Sequence, residues 1–111
     1  MNVLIFDVGT TSMGGILYDE SGNELTQASR QTPLIFDGSY IEQSPAFLKE
    51  TLYAITKEVC ERYEIDAIGL TAFRSATALF TETGEPLSNF IMWQDSRNKE
   101  ICEKLRPYDR K

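Results

Sequence analysis

A chain of 111 residues suffices for one domain or part of one. A formal charge of -6 and a pI near 4.6 exclude the clustered Lys and Arg that a nucleic-acid or anionic-membrane surface needs, and leave small neutral or anionic metabolites open as partners. The N-terminal apolar run stops at Asp7, too early for a signal peptide, and no window reaches a membrane span, so a cytoplasmic protein is expected.

In chain order, Val3 to Phe6 reads as a short buried strand and Met13 to Tyr18 as its return, which makes a hairpin with a polar tip. Glu20-Ser21-Gly22-Asn23 is a turn, and Glu24 to Thr32 is a third, half-exposed strand. Pro33 to Ser39 reads as a loop bent at Gly38. Ser44 then Pro45 starts a helix, with serine as N-cap and proline at the first helical position, where no N–H is needed. Leu48, Leu52, Ile55 and Val59 make one apolar stripe of a helix running to about Tyr63, with Glu58 and Arg62 placed to pair on its wet face. Asp66 to Ala72 is a fourth, buried strand reached through this crossover helix. Thr77 to Glu82 and Asn89 to Gln94 read as two more strands around the turn Thr83-Gly84-Glu85-Pro86, and a second helix runs from Ser96 to Arg106. Cys60 and Cys102 fall inside helical patterns, far apart in a chain with no histidine, so reduced, buried thiols rather than a zinc site are expected.

Chemistry concentrates at the first turn. Leu4-Ile5-Phe6-Asp7-Val8-Gly9-Thr10-Thr11-Ser12 delivers a carboxylate, a glycine and three hydroxyls to one place. Positive φ at Gly9 would leave backbone N–H groups uncovered, and with the Thr10, Thr11 and Ser12 hydroxyls these could donate to phosphate oxygens. Asp7 could then hold Mg²⁺ through waters. The competing reading is a tight hairpin in which Asp7 only caps the turn.

Three antiparallel strands, a crossover helix and a fourth strand open the ribonuclease H-like α/β fold, which serves nucleases, actin-like ATPases and sugar kinases alike. A nuclease would need a carboxylate where the fourth strand ends, to complete a two-metal site. Here that strand ends in Leu70-Thr71-Ala72, and its carboxylate, Asp66, lies at the other end.

FDVGTTS, YIEQSP before the first helix, AIGLTAFRSATALF, and TGEPLSNFIMWQDSR follow one another in an order similar to the amino-terminal segment of the FGGY carbohydrate kinases. The resemblance runs from Val3 to about Leu105. It implies an actin-like fold of two domains, with ATP and sugar meeting in a cleft, and Mg-dependent transfer of the γ-phosphoryl group to a hydroxyl. It also implies a chain several times longer, of which residues 1–111 are the amino-terminal part of the sugar-binding domain, an incomplete domain without the adenine-binding one.

Carried across that resemblance, Asp7 is similar to the family's magnesium-associated aspartate, and Gly9, Thr10, Thr11 and Ser12 lie in its phosphate-binding turn. Arg74 and Ser75 occupy the place of two substrate-contacting residues; Arg74 matches the glycerol kinase-like pattern and Ser75 matches none. Trp93 falls on the tryptophan that lines the sugar pocket, with Asp95 and Arg97 on the polar residues after it. Gly14 stands where relatives often carry Lys or Arg. The general base is implied to be an aspartate beyond residue 111, so these residues alone are expected to be inactive.

Read without the resemblance, Trp93 in a buried strand is more often a core residue than a ligand platform, and Arg74 is a surface charge or a donor fork for hydroxyls. Asp95 could cap the last helix, Arg97 could pair with Glu100 or Glu61, and Glu42 and Gln43 belong to the loop and cap before the first helix. A non-catalytic nucleotide- or sugar-binding module of the same fold is the alternative function. An uncovered sheet face makes association of the 111 residues into a homodimer possible.

Overall fold

The computed structural model describes residues 1–108. β1 (Val3–Val8), β2 (Ser12–Tyr18) and β3 (Glu24–Gln31) form an antiparallel meander, α1 (Pro45–Cys60) crosses over, and β6 (Ala67–Ala72) joins β1 in parallel. The order β3-β2-β1-β6 is the mixed sheet expected of a ribonuclease H-like, actin-like ATPase opening. β1 runs two residues past the expected strand, so Asp7 lies within it rather than at the hairpin tip.

Period-2 alternation sends Leu4, Phe6 and Val8 of β1, and Met13 and Leu17 of β2, to one sheet face, where Leu48, Ile55 and Val59 of α1 cover them. The helix comes so close over β2 that a Cβ at Gly15 would lie 2.7 Å from Ile55 Cγ2. Ser44 caps α1 by accepting from the Phe47 N–H at 3.3 Å. The helix ends at Cys60, three residues early, because Arg62 and Tyr63 both turn their N–H groups to the Val59 carbonyl and Tyr63 OH donates to Leu25. Glu58 pairs with Arg30 of β3 rather than with Arg62, since the sheet offers a partner across the same wet face. Cys60 and Cys102 are exposed thiols, not buried ones: Cys60 lies off the covered stripe of the first helix, and the last helix has no buried residue.

A second sheet of order β4-β5-β7, built from β4 (Ile35–Asp37), β5 (Tyr40–Gln43) and β7 (Phe90–Ile91), stands where a loop was expected. Gly38, at the first central position of the β4–β5 turn, takes φ 59. The expected strand Thr77 to Glu82 forms only the bridges Thr77 to Ile91 and Phe80 to Pro86. Pro86 has no N–H to extend a ladder, and Leu79 N–H is taken by Ser88 Oγ. Its partner strand shrinks to Phe90–Ile91, because the Asp95 N–H donates to the Met92 carbonyl and turns the chain there. The last helix, α2, covers Lys99–Leu105 and continues as a 3₁₀ turn over Arg106–Tyr108. It starts three residues late, after a turn in which the Lys99 N–H donates to the Ser96 carbonyl at 3.1 Å.

Candidate functional site

β1 and β6 end side by side, Val8 opposite Ala72, and Phe73 N–H donates to the Val8 carbonyl at 2.8 Å. The segments leaving two parallel carboxyl ends therefore meet, which is where α/β sheets form ligand crevices. Here they enclose a cavity of about 400 Å³ lined by Asp7, Val8, Gly9, Thr10, Ala72, Phe73, Arg74, Ser75 and Trp93.

Asp7 is exposed at one wall of this space. The adjoining turn is closed by backbone alone, Gly9 N–H donating to the Ser12 carbonyl at 2.8 Å. That leaves no capping work for the Asp7 carboxylate. Gly9 does not take positive φ; its glycine serves close approach instead, because a Cβ there would stand 2.9 Å from the Ser12 oxygen. Of the four residues assigned to a phosphate turn, Gly9 and Thr10 line the cavity, while Thr11 and Ser12 are exposed just outside it.

Arg74 and Ser75, just past the end of β6, line the same cavity as Asp7. Ser75 has φ 59, the one positive φ of a non-glycine residue among the described residues. Such conformations cost energy and gather at binding sites. Trp93 is 62% exposed at the rim, so the core reading fails for it; its neighbour Met92 is the buried residue.

Asp95 does not line the cavity and does not cap α2. Its carboxylate accepts from the Ile41 N–H at 2.7 Å and from Arg97 Nε and Nη2 at 2.8 and 2.7 Å. Arg97 also reaches Glu42 at 2.6 Å and stacks on Tyr40 at 4.1 Å, partners supplied by β5 rather than Glu100 or Glu61. Glu42 accepts from Asn89 in turn. Two carboxylates, one fork and one ring thus tie the segment carrying Trp93 to β5. A hairpin read as loop hid these partners from sequence inspection.

Hydrogen bonds from Arg97 hold the Asp95 carboxyl well below the usual carboxylate range, and the Asn89 amide, then Arg97, lower that of Glu42. Groups with depressed pKa values add stability that is present above their ordinary values, 3.8 and 4.5, and is lost as pH falls toward the depressed ones. The advantage of wild type over Arg97→Met in thermal midpoint is therefore expected to be full at neutral pH and to shrink in acid. An equal difference at both ends would contradict the clamp.

Among the described residues no three Cys, Asp or Glu gather as a metal cage. One carboxylate beside a turn suits a hydrated Mg²⁺ shared with phosphate oxygens better than a bare, fully protein-ligated ion. No helix of the described residues is long and apolar enough to cross a membrane.

A family model described as the FGGY family of carbohydrate kinases, N-terminal domain, matches residues 2–110. The chain is 36% identical over 110 residues to a glycerol kinase of Marinomonas sp. (strain MWYL1), covering 93% of this chain and 22% of that protein. Among solved structures, a gluconate kinase and a ligand-bound xylulose kinase from Lactobacillus acidophilus each superpose with a TM-score of 0.88 at 25% identity, over 96% of this chain and 22% of theirs. The chain thus spans about a fifth of the length of the relatives it matches.

Proposed function

The chain belongs to the FGGY family of carbohydrate kinases, and from that membership we propose that it is part of an ATP-dependent enzyme transferring the γ-phosphoryl group to a hydroxyl of a sugar or polyol. One observation carries the reading: Asp7, the Gly9–Thr10 turn, Arg74 and Trp93 border one cavity at the carboxyl ends of two parallel strands. Metal, phosphate and alcohol must meet for phosphoryl transfer, and catalysis of this step is chiefly positioning and charge stabilisation.

In this reading Mg·ATP supplies the transferable phosphoryl group and an activated leaving group. Asp7 orients the hydrated metal, and the Gly9–Thr10 turn, flanked by Thr11 and Ser12, cradles phosphate. The Trp93 indole packs against C–H edges of the substrate, while Arg74 and Ser75 donate to its hydroxyls. Asp95 serves the substrate indirectly, by setting Trp93 through Arg97. Proton removal from the attacking hydroxyl needs a further base: the cavity lining holds one carboxylate, already given to the metal, and the chain has no histidine. A cytoplasmic setting suits such a substrate pair.

ADP release by the full-length protein, assayed across a panel of polyols, ketoses and sugar acids, tests the proposal. Release stimulated by at least one of them supports it, and none with any would refute it. The 111 residues by themselves are expected to give no sugar-dependent ADP above a mock preparation. They are also expected to associate, because Ile68 and Leu70 of edge strand β6 are 59% and 64% exposed; a monomer by light scattering across micromolar concentrations would contradict that.

A further inference from the structure

Three polar side chains are buried among the described residues, and two of them converge on one carbonyl. Gln43 is fully enclosed and its Nε2 donates to the Thr10 oxygen at 3.1 Å. Thr32 is 2% exposed; its Oγ1 donates to the same oxygen at 3.4 Å, and its N–H donates to the Thr11 carbonyl at 2.9 Å. Burying an amide is costly unless its groups are bonded, and Gln43 Oε1 has no partner among the described residues. Stability alone would be served as well by an apolar side chain of the same length. What the amide does supply is direction.

A trans peptide is planar, with its C=O and N–H pointing opposite ways. No peptide bond described here is cis. When Gln43 and Thr32 draw the Thr10 carbonyl into the core, the N–H of the same peptide unit, that of Thr11, is turned outward. We propose that Gln43, supported by Thr32, is a positioning residue that fixes this peptide so that its N–H is presented to an anionic oxygen of a polyphosphate. The inference rests on reading the Gly9–Thr10 turn as the phosphate site. Gln43 acts from beneath the turn and touches no ligand. It closes β5 immediately before the Ser44 cap, so the start of α1 and the second sheet fix it from both sides.

The test compares wild type with Gln43→Met in the full-length protein. Mg·ADP affinity is measured by calorimetry, sugar affinity by a separate titration, and the thermal midpoint for each. Loss of one orienting hydrogen bond is expected to weaken Mg·ADP about fivefold to tenfold, with sugar affinity unchanged and the midpoint lowered little. Unchanged Mg·ADP affinity would overturn the positioning role while leaving the phosphate site intact. A wild-type protein that does not bind Mg·ADP would instead overturn the phosphate reading, and this inference with it. Should Gln43→Met fail to fold, Thr32→Val, which keeps the backbone bond to Thr11 and loses only the hydroxyl, is held to the same outcomes with a smaller loss.

Discussion

Replacing Asp7 with alanine in the full-length protein is expected to slow turnover about a thousandfold or more, since a metal-positioning carboxylate contributes several kcal/mol to the transition state. Sugar affinity should change little. The asymmetry follows from role: Asp7, on β1 before the turn, is the proposed partner of the metal, whereas Arg74, Ser75 and Trp93, which line the same cavity, are the proposed partners of the sugar. Fold stability should also be nearly unchanged, because Asp7 is exposed and the hairpin turn is closed by the Gly9 to Ser12 backbone bond. Steady-state kinetics with a separate sugar-binding titration distinguishes the outcomes. A wild-type rate constant would return Asp7 to a surface role, and a joint loss of rate, sugar binding and thermal midpoint would mean that the side chain supports the fold.

Arg74→Ala is expected to weaken sugar binding by about 1 to 3 kcal/mol, the range for hydrogen bonds that involve a charge. Arg74 is exposed at the end of β6, and the ion pairs of the described residues are made by Arg30 and Arg97 and the N-terminus, so its fork is available to a ligand. Nucleotide affinity should barely move. In the same protein, the environment of Trp93 should change when sugar binds, read as a fluorescence difference that Trp93→Phe removes. Equal loss of sugar and nucleotide affinity in Arg74→Ala would indicate a folding defect instead of a lost contact.

The main sheet was legible because its signals are local and strong. Leu4, Phe6 and Val8 alternate with outward residues, and the Leu48, Ile55 and Val59 stripe has helical period, so the meander and the crossover helix follow from pattern, whereas β6, expected to be buried, is an exposed edge strand. The β4–β5 hairpin was read as loop, although Gly38-Ser39 is a two-residue turn between Ile35-Phe36-Asp37 and Tyr40-Ile41. Thr77 to Glu82 misled in the other direction. Its β-prone composition is real, but Pro86 and the Ser88 hydroxyl take the places a ladder would need.

The candidate site divides in the same way. Asp7, Gly9, Thr10, Arg74, Ser75 and Trp93 were named from sequence and share one cavity, because each lies just before or after a strand end. Asp95, assigned to the substrate from sequence, lies outside the cavity lining, and the partners of Asp95 and Arg97, namely Glu42, Tyr40 and Ile41, come from more than fifty residues away and from a hairpin not expected. Gln43 was read as loop. Nothing in its neighbours announces that its amide reaches Thr10, a contact created only when β5 passes beneath the turn.

In the proposed function the metal–phosphate turn and the sugar pocket share one cavity of about 400 Å³. Mn²⁺ in place of Mg²⁺ reports this directly, through paramagnetic broadening of the protons of a sugar bound in the ternary complex with ADP. A sugar held by Trp93 and Arg74 in the cavity that Asp7 also lines lies no farther from the metal than the width of that cavity, so its C–H resonances should broaden strongly in wild type. A sugar that binds with unbroadened resonances in the wild-type complex would place it away from the metal and contradict the account.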